Sequence, residues 1–139
     1  MLANYSKFFH LKSKYRIDEQ EFKQRTKQLV LRVIELVSLL QKNTVSEVIG
    51  NQLIRSGTSV GANYRAACRA RSTADLIAKL RIVEEEADES LYWMELIVEA
   101  ELVDATKLKS IMSETNDILA MTVASIKTLV SKNQTANRR

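Results

Sequence analysis

Five basic residues in the middle of the chain have the type and spacing to bind phosphate groups. Arg55, Arg65 and Arg69 fall within about 80° of arc if their segment is helical, at about 100° per residue. Arg71 and Lys79 follow at the expected turn into the next segment. Guanidinium groups bind phosphate oxygens both by charge and by paired hydrogen bonds. This pattern predicts a nucleic-acid-binding surface made of these five residues.

The same arginines have a second set of candidate partners within the chain. Residues 72–103 contain two basic and nine acidic side chains, whereas residues 44–71 contain four basic and one acidic. A protein that only coats nucleic acid is not expected to carry so acidic a segment. The arginines can instead pair with these carboxylates, within one protomer or across a subunit interface, and so fix the geometry of assembly. A solvated charged surface is the third alternative.

The sequence lacks the residue combinations of the common catalytic sites. A di-metal site in a helical bundle needs Glu-x-x-His pairs, and His10 is the only histidine. Glu86 and Glu89 are one turn apart and can bind a hard cation, but such pairs are more often surface or ion-paired residues. Cys68 has arginines nearby that would lower its pKa, yet it lacks a histidine base, so a structural role is favoured. We expect no enzyme, no metal and no cofactor.

The composition indicates how these residues are held. The 139 residues include no proline and three glycines, which favours a few long helices with short connections in one domain. A single cysteine permits no disulfide within the chain, and no uncharged run approaches the roughly 18 residues of a membrane span. We therefore expect a soluble cytoplasmic protein.

Four segments have helical periodicity. The first runs from about 18 to 41, the second begins at the capping box Thr44–Glu47, the third is capped by Ser72 and ends near 102, and the fourth is capped by Asp104. Three of the predicted buried seams are Ile49, Leu53, Ser56, Val60, Asn63, Ala67 and Ala70 in the second helix, Leu76, Leu80, Val83, Ala87, Ser90, Met94 and Ile97 in the third, and Leu108, Met112, Thr115, Leu119, Thr122, Ile126 and Leu129 in the fourth. The sequence predicts an all-α, antiparallel, up-down-up-down four-helix bundle over residues 18–130.

The second helix contains features typical of a close contact with another backbone. Gly50, Gly57 and Gly61 each cost about 1 kcal/mol relative to alanine in a helix, so three of them suggest such an approach; a helix break near Gly57 is the alternative. Asn63 can set register and oligomer order if it is buried, or it can be an amide satisfied locally. We predict a subunit interface that includes Gly57, Gly61, Asn63, Glu86, Glu89 and Trp93.

The two ends of the chain differ in composition from the bundle. Residues 1–17 form a basic and aromatic N-terminal arm, in which Tyr5, Phe8, Phe9 and Tyr15 alternate with lysines and an arginine. Such interleaving can stack on bases and attract phosphates, can dock on a neighbouring subunit, or can be disordered. Residues 131–139 form a polar tail that we expect to fray.

Two runs of the sequence resemble a known family. Leu53-Ile54-Arg55-Ser56-Gly57-Thr58-Ser59-Val60-Gly61-Ala62-Asn63-Tyr64-Arg65 and the run from Ala78 to Trp93 are similar to the two signatures of the bundle proteins encoded in intervening sequences of bacterial 23S rRNA genes. The resemblance covers about Asp18 to Val130. It implies a small helical bundle that assembles into a ring, commonly a homopentamer, and an association with RNA.

Two functional hypotheses follow from these observations. The first is a non-enzymatic homo-oligomeric scaffold, a pentamer if the resemblance holds, that associates with structured RNA through its basic surface. The second is a protein-interaction adaptor that does not bind nucleic acid, and whose acidic third helix and basic second helix pair with a partner or with other copies of itself.

Overall fold

The computed structural model describes residues 19–139 as four α-helices. The helices are α1 (Glu19–Ser38), α2 (Thr44–Ala67), α3 (Thr73–Glu99) and α4 (Lys109–Asn137), with one 3₁₀ turn at Ala105–Lys107. These residues contain no strand, which confirms the predicted all-α class. The N-terminal arm lies outside the described residues. No helix in the described part of the chain combines the length and apolar character that a membrane span requires.

The helix starts are set by side-chain caps, two of which differ from the prediction. Ser72 caps α3 as predicted, accepting a hydrogen bond from the Asp75 N–H at 3.1 Å. Asn43, not Thr44, caps α2, because its Oδ1 accepts from the Ser46 N–H at 3.0 Å. Asp104 caps the 3₁₀ turn that precedes α4 rather than α4 itself. Each cap satisfies a backbone donor that the first turn of a helix leaves without a partner.

The contacts between helices establish the up-down-up-down order. Along α2, Gly50, Gly57 and Gly61 face Val37, Val33 and Val30 of α1 in descending order, so these two helices are antiparallel. Between α1 and α4, Arg25 bonds Glu114 while Arg32 bonds the earlier residue Ser110, which is again antiparallel. Surface grooves bring Glu95 beside Lys109, and Arg81 beside Lys127, so α3 and α4 also run in opposite directions. It follows that α2 and α3 are antiparallel.

The core lies along the predicted seams, with shifts of one residue. In α2, Tyr64 is fully buried at the point where Asn63 was predicted to be. The ring centroid of Tyr64 is 4.4 Å from that of Phe22. In α4, Ile111 and Ile118 are buried, whereas Met112 and Leu119 are only partly buried. Each shift exchanges two neighbouring positions while the rest of the seam is buried as predicted. In α2 the exchange buries an aromatic ring instead of an amide, which removes more apolar surface from water.

The last helix is longer than predicted. Residues 131–137 are helical in the structure, and all of them except Asn133 are exposed. Backbone hydrogen bonds within the helix, rather than burial, therefore hold this part of α4. Fraying of these residues stays a prediction about their motion.

Candidate functional site

Arg55 faces the acidic helix rather than solvent alone. Its Nη1 lies 3.3 Å from Glu86 Oε2, its Nη2 bonds Glu89, and its Nε donates to Gln52 Oε1 at 3.1 Å. Trp93 Nε1 donates to the other Glu89 oxygen at 3.4 Å. This cluster joins α2 to α3 within one protomer. Of the alternatives for Arg55, the structure supports pairing with the acidic segment inside the chain.

The two carboxylates that share Arg55 respond differently to their surroundings. Burial raises the pKa of Glu86, and the neighbouring Arg55 offsets only part of that effect. The hydrogen bond from Arg55 lowers the pKa of Glu89. Arg55 pairs with both carboxylates and neutralises charge that a hard cation would otherwise attract. Within residues 19–139, no group of three or more histidine, cysteine or carboxylate side chains is arranged to hold a metal ion.

Three of the five predicted phosphate-binding residues have charged groups without a partner among residues 19–139. Arg65, Arg69 and Arg71 are exposed, and their guanidinium groups form no hydrogen bond or ion pair within the described residues. The backbone N–H of Arg71 donates to Asp75 Oδ2 at 3.0 Å. Lys79 pairs with the same carboxylate through Asp75 Oδ1. The predicted stripe is therefore divided: Arg55 and Lys79 are paired, and the three other arginines face solvent near the α2–α3 turn.

The topology separates charge along the bundle. We call the half formed by residues 19–28, 56–85 and 124–139 the basic end; it holds twelve basic and five acidic residues, a net charge of +7. The opposite half, the acidic end, comprises residues 29–55 and 86–123 and holds five basic and eleven acidic residues, a net charge of −6. A charge separation of this size produces a directional field, which attracts polyanions to one end and repels them from the other.

The three glycines of α2 allow a close contact with α1 of the same chain. A Cβ on Gly57 would lie 3.1 Å from Val33 Cγ2, and one on Gly61 would lie 3.4 Å from Val30 Cγ2. The close approach predicted from these glycines is present, but the partner is α1 of the same protomer, and α2 continues through Gly57 without a break. Gly57 is buried and is not a free surface for a second copy. Asn63 donates to the Ser59 carbonyl at 2.8 Å, so its amide is satisfied locally.

An apolar patch lies on the outer side of α2 and α3 in the acidic end. The rings of Tyr92 and Trp93 meet edge to face, with centroids 5.0 Å apart. Tyr92 is 52% exposed, and Val48 is 55% exposed. We call Val48, Tyr92, Trp93 and Leu96 the aromatic patch. Trp93, predicted as an interface residue, is half-buried there.

Cys68 has the environment of a structural thiol. Burial raises its pKa to about 11, and this effect outweighs the lowering by Lys23 and Tyr64. The arginines nearby in the sequence are exposed, and burial dominates the thiol's environment, so a thiolate is disfavoured.

Arg25 is a structural residue that sequence reasoning missed. Its Nε and Nη2 donate to the two oxygens of Glu114 at 2.8 and 2.9 Å, and its Nη2 lies 3.9 Å from Asp117. This fork links α1 to α4. The available signal was position: Arg25 and Glu114 each precede a buried threonine, Thr26 and Thr115, and residues beside a seam are those that pair across neighbouring helices.

Comparisons with known proteins agree with this architecture. The sequence model of the 23S rRNA-intervening sequence protein family matches residues 18–124, which include α1, α2, α3 and the first half of α4. The chain is also similar to a crystal structure, at 1.70 Å resolution, of a protein of unknown function from the S23 ribosomal protein family of Bacteroides thetaiotaomicron. The two share 36% sequence identity with a TM-score of 0.71, over 76% of this chain and 98% of that chain. No curated protein matches.

The family match covers most of the bundle and includes both signature runs, in α2 and α3. The solved relative supports it with the same fold. The chain belongs to the 23S rRNA-intervening sequence protein family.

Proposed function

We propose that the protein is a non-enzymatic, homo-oligomeric cytoplasmic scaffold that associates with structured RNA through its basic end. The observation that carries this proposal is the separation of charge along the bundle, with a net +7 in one half and −6 in the other. Arg65, Arg69 and Arg71 provide exposed guanidinium groups at that end without side-chain partners in the described residues.

Phosphate chemistry favours the end of the bundle over its side. Each arginine that neutralises a phosphate releases a condensed counterion, which supplies most of the affinity for nucleic acid at low salt. The acidic end repels the same polyanion. In the proposed complex the basic end therefore contacts the RNA, and the acidic end lies farthest from it. Arg55 and Lys79 are left out of the proposed surface because Glu86, Glu89 and Asp75 already neutralise them. The family resemblance, which implies an association with RNA, supports RNA as the polyanion.

The assembly part of the proposal rests on the resemblance, which implies a pentameric ring, and on the aromatic patch. Tyrosine and tryptophan are enriched at the centres of protein interfaces, and this patch combines the exposed Tyr92 with the half-buried Trp93. Light scattering at high micromolar concentration tests the assembly. A particle several times the 15.8 kDa chain mass is expected, and a strict monomer contradicts the scaffold.

Titration of a fluorescent RNA hairpin tests the RNA part. The variant R65Q/R69Q/R71Q removes three charges from the basic end, and K42Q/K107Q/K109Q removes three from exposed lysines of the acidic end. Three phosphate contacts at roughly 0.5 kcal/mol each correspond to about a tenfold change in affinity. We expect that loss for the arginine variant alone. Equal losses in both variants, or no binding by the wild type at low salt, contradict the proposal.

A second candidate function is an interaction adaptor without nucleic acid. The aromatic patch favours it, because an exposed apolar surface beside carboxylates fits a protein partner better than an RNA. The ratio of absorbance at 260 and 280 nm after purification at low salt separates the two candidates. Co-purifying nucleic acid supports the scaffold, and its absence together with failure of the hairpin titration supports the adaptor.

A further inference from the structure

We infer that the N-terminal segment of one copy, residues 1–17, docks on the aromatic patch of a neighbouring copy. The inference rests on the self-association proposed above and adds the segment that is exchanged between copies. It is carried by the chemistry of the patch, by the composition of the segment, and by the position at which that segment joins the bundle.

The patch is continuous across two helices. Ser56 and Ser90 hydroxyls are 2.9 Å apart and fix the register of α2 against α3. Arg55 on α2 pairs with Glu89 on α3. Val48 lies two turns before Arg55 along α2, and Leu96 lies two turns after Glu89 along α3. Antiparallel helices therefore place Val48 beside Leu96, next to Trp93 and Tyr92.

Carboxylates surround the exposed ring of Tyr92. Asp88 and Glu95 lie one turn before and one turn after it on α3, and Glu99 lies one turn beyond Glu95. Within residues 19–139 these three side chains form no ion pair. Arg55, the basic residue that faces α3 in this region, pairs with Glu86 and Glu89. An occupant of this patch must therefore combine apolar rings with positive charge.

Residues 1–17 have that combination. They contain four basic residues, Lys7, Lys12, Lys14 and Arg16, and no acidic residue. Tyr5, Phe8, Phe9 and Tyr15 are interspersed among them. Aromatic rings can pack on Tyr92 and Trp93, while the ammonium and guanidinium groups meet the carboxylates and the ring faces.

The attachment point favours a neighbouring copy over the same chain. The segment joins α1 at Glu19, in the basic end, whereas the patch is in the acidic end. Val48 and Ala67 are separated by 19 residues of α2, or about 29 Å along the helix. Phe9 is ten residues from Glu19, so it spans at most about 35 Å when fully extended. Docking on its own patch would use about 29 Å of this reach along the bundle alone and would require a nearly fully extended segment, whereas a neighbouring copy imposes no such requirement.

Trp93 is the only tryptophan, so its fluorescence reports directly on the patch. We expect the full-length wild type to show a blue-shifted emission and weak acrylamide quenching at high concentration. Both properties should change toward those of an exposed indole on dilution and in the variant Phe8→Ala/Phe9→Ala. The variant Leu31→Ala, which truncates an exposed leucine of α1, is the matched control and should leave both unchanged.

A second variant keeps the test independent of the first. K12E/K14E reverses two charges of the segment, and it should expose Trp93 as F8A/F9A does. If neither variant changes the emission, or if the emission does not depend on concentration, docking on a second copy is contradicted. Light scattering of the same samples separates this failure from that of the scaffold: an oligomer with unchanged Trp93 emission overturns the inference alone, and a wild-type monomer overturns both.

Discussion

At the residue scale, small side chains decide how closely the helices approach. Gly57 sits under Val33, which is fully buried, and the Ser56 and Ser90 hydroxyls meet across the α2–α3 contact. Each hydroxyl also lies within hydrogen-bonding distance of a carbonyl of its own helix, so the buried oxygens are satisfied without large polar groups. The run that resembles the family signature thus contains the residues that let α2 pack against both neighbours.

Alanine at the two glycines should have opposite effects on stability. A Cβ at Gly61 makes ordinary contacts at 3.4 and 3.5 Å, so Gly61→Ala should add about 0.5–1 kcal/mol through helix propensity. A Cβ at Gly57 meets the rigid, buried Val33 at 3.1 Å, so the cost of overpacking should exceed that gain and Gly57→Ala should lower stability by about 1 kcal/mol. Urea unfolding of both variants measures this difference. A Gly57→Ala protein as stable as Gly61→Ala would contradict the packing described.

The raised pKa of Cys68 has a consequence for stability at high pH. The folded protein retains the thiol proton up to about pH 11, whereas a thiol in the unfolded chain loses it near pH 9. The stabilisation is complete below pH 9 and declines as the pH rises toward 11. The thiolate fraction at pH 8 should be on the order of 100-fold lower than in the unfolded chain. Alkylation by iodoacetamide, native against urea-unfolded, checks this; Cys68→Ala should lack the pH-linked decline, and equal alkylation rates would refute the burial argument.

At this scale, residue types predict which side chains share a helix face, but they do not predict which partners those side chains contact. The arginines at 55, 65 and 69 share a helix face, but only the register of α2 against α3 shows that Arg55 meets Glu86 and Glu89. The close approach at Gly57 could be predicted from propensity, but its partner could not, because a glycine face fits any helix, in the same chain or another.

At the element scale, helix periodicity predicted most of the fold, and the errors lie at the helix ends and in one-residue shifts of the buried face in α2 and α4. All seven predicted core positions of α3 are buried: Leu76, Leu80, Val83, Ala87, Ser90, Met94 and Ile97. The start of α2 was misplaced by one residue because Asn43 precedes a plausible capping box. Both Asn and Thr are good caps, and only the backbone geometry, with Asn43 extended, decides between them.

Truncation of the two cap candidates should distinguish them. Asn43→Ala removes the acceptor of the Ser46 N–H and should cost about 1 kcal/mol. Thr44→Ala leaves that bond intact, so its effect should be close to zero. Chemical denaturation of the two variants is the measurement, and a larger loss for Thr44→Ala would restore the capping box predicted from sequence.

The end of α3 contains a residue in an unfavourable conformation. Glu101 has a φ of 54°, in the left-handed region, where it lets the Leu102 N–H bond the Ile97 carbonyl at 3.0 Å. Glycine adopts this conformation without the steric cost that a Cβ imposes. We expect Glu101→Gly to raise the midpoint of thermal unfolding, with a gain of about 0.5–1 kcal/mol. A lower midpoint would indicate that the Glu101 side chain stabilises the turn by more than this strain.

At the scale of the whole molecule, the important property is the direction of the charge. The net charge of +4 and the acidity of residues 72–103 are visible in the sequence. The basic end cannot be recognised in the sequence, because its charges come from separate stretches of all four helices. Only the antiparallel order brings those stretches together. The sequence therefore predicted a basic stripe along α2, whereas the structure places the free arginines within a larger basic end.

The salt dependence of RNA binding tests whether the basic end contacts phosphates. Each arginine that contacts a phosphate contributes nearly one unit to the slope of log affinity against log salt concentration. We predict that R65Q/R69Q/R71Q lowers the magnitude of this slope by about two to three units for a duplex RNA, while the charge-matched K42Q/K107Q/K109Q leaves it unchanged. Equal slopes for the wild type and the arginine variant would show that the basic end does not contact RNA, and the central proposal would be wrong.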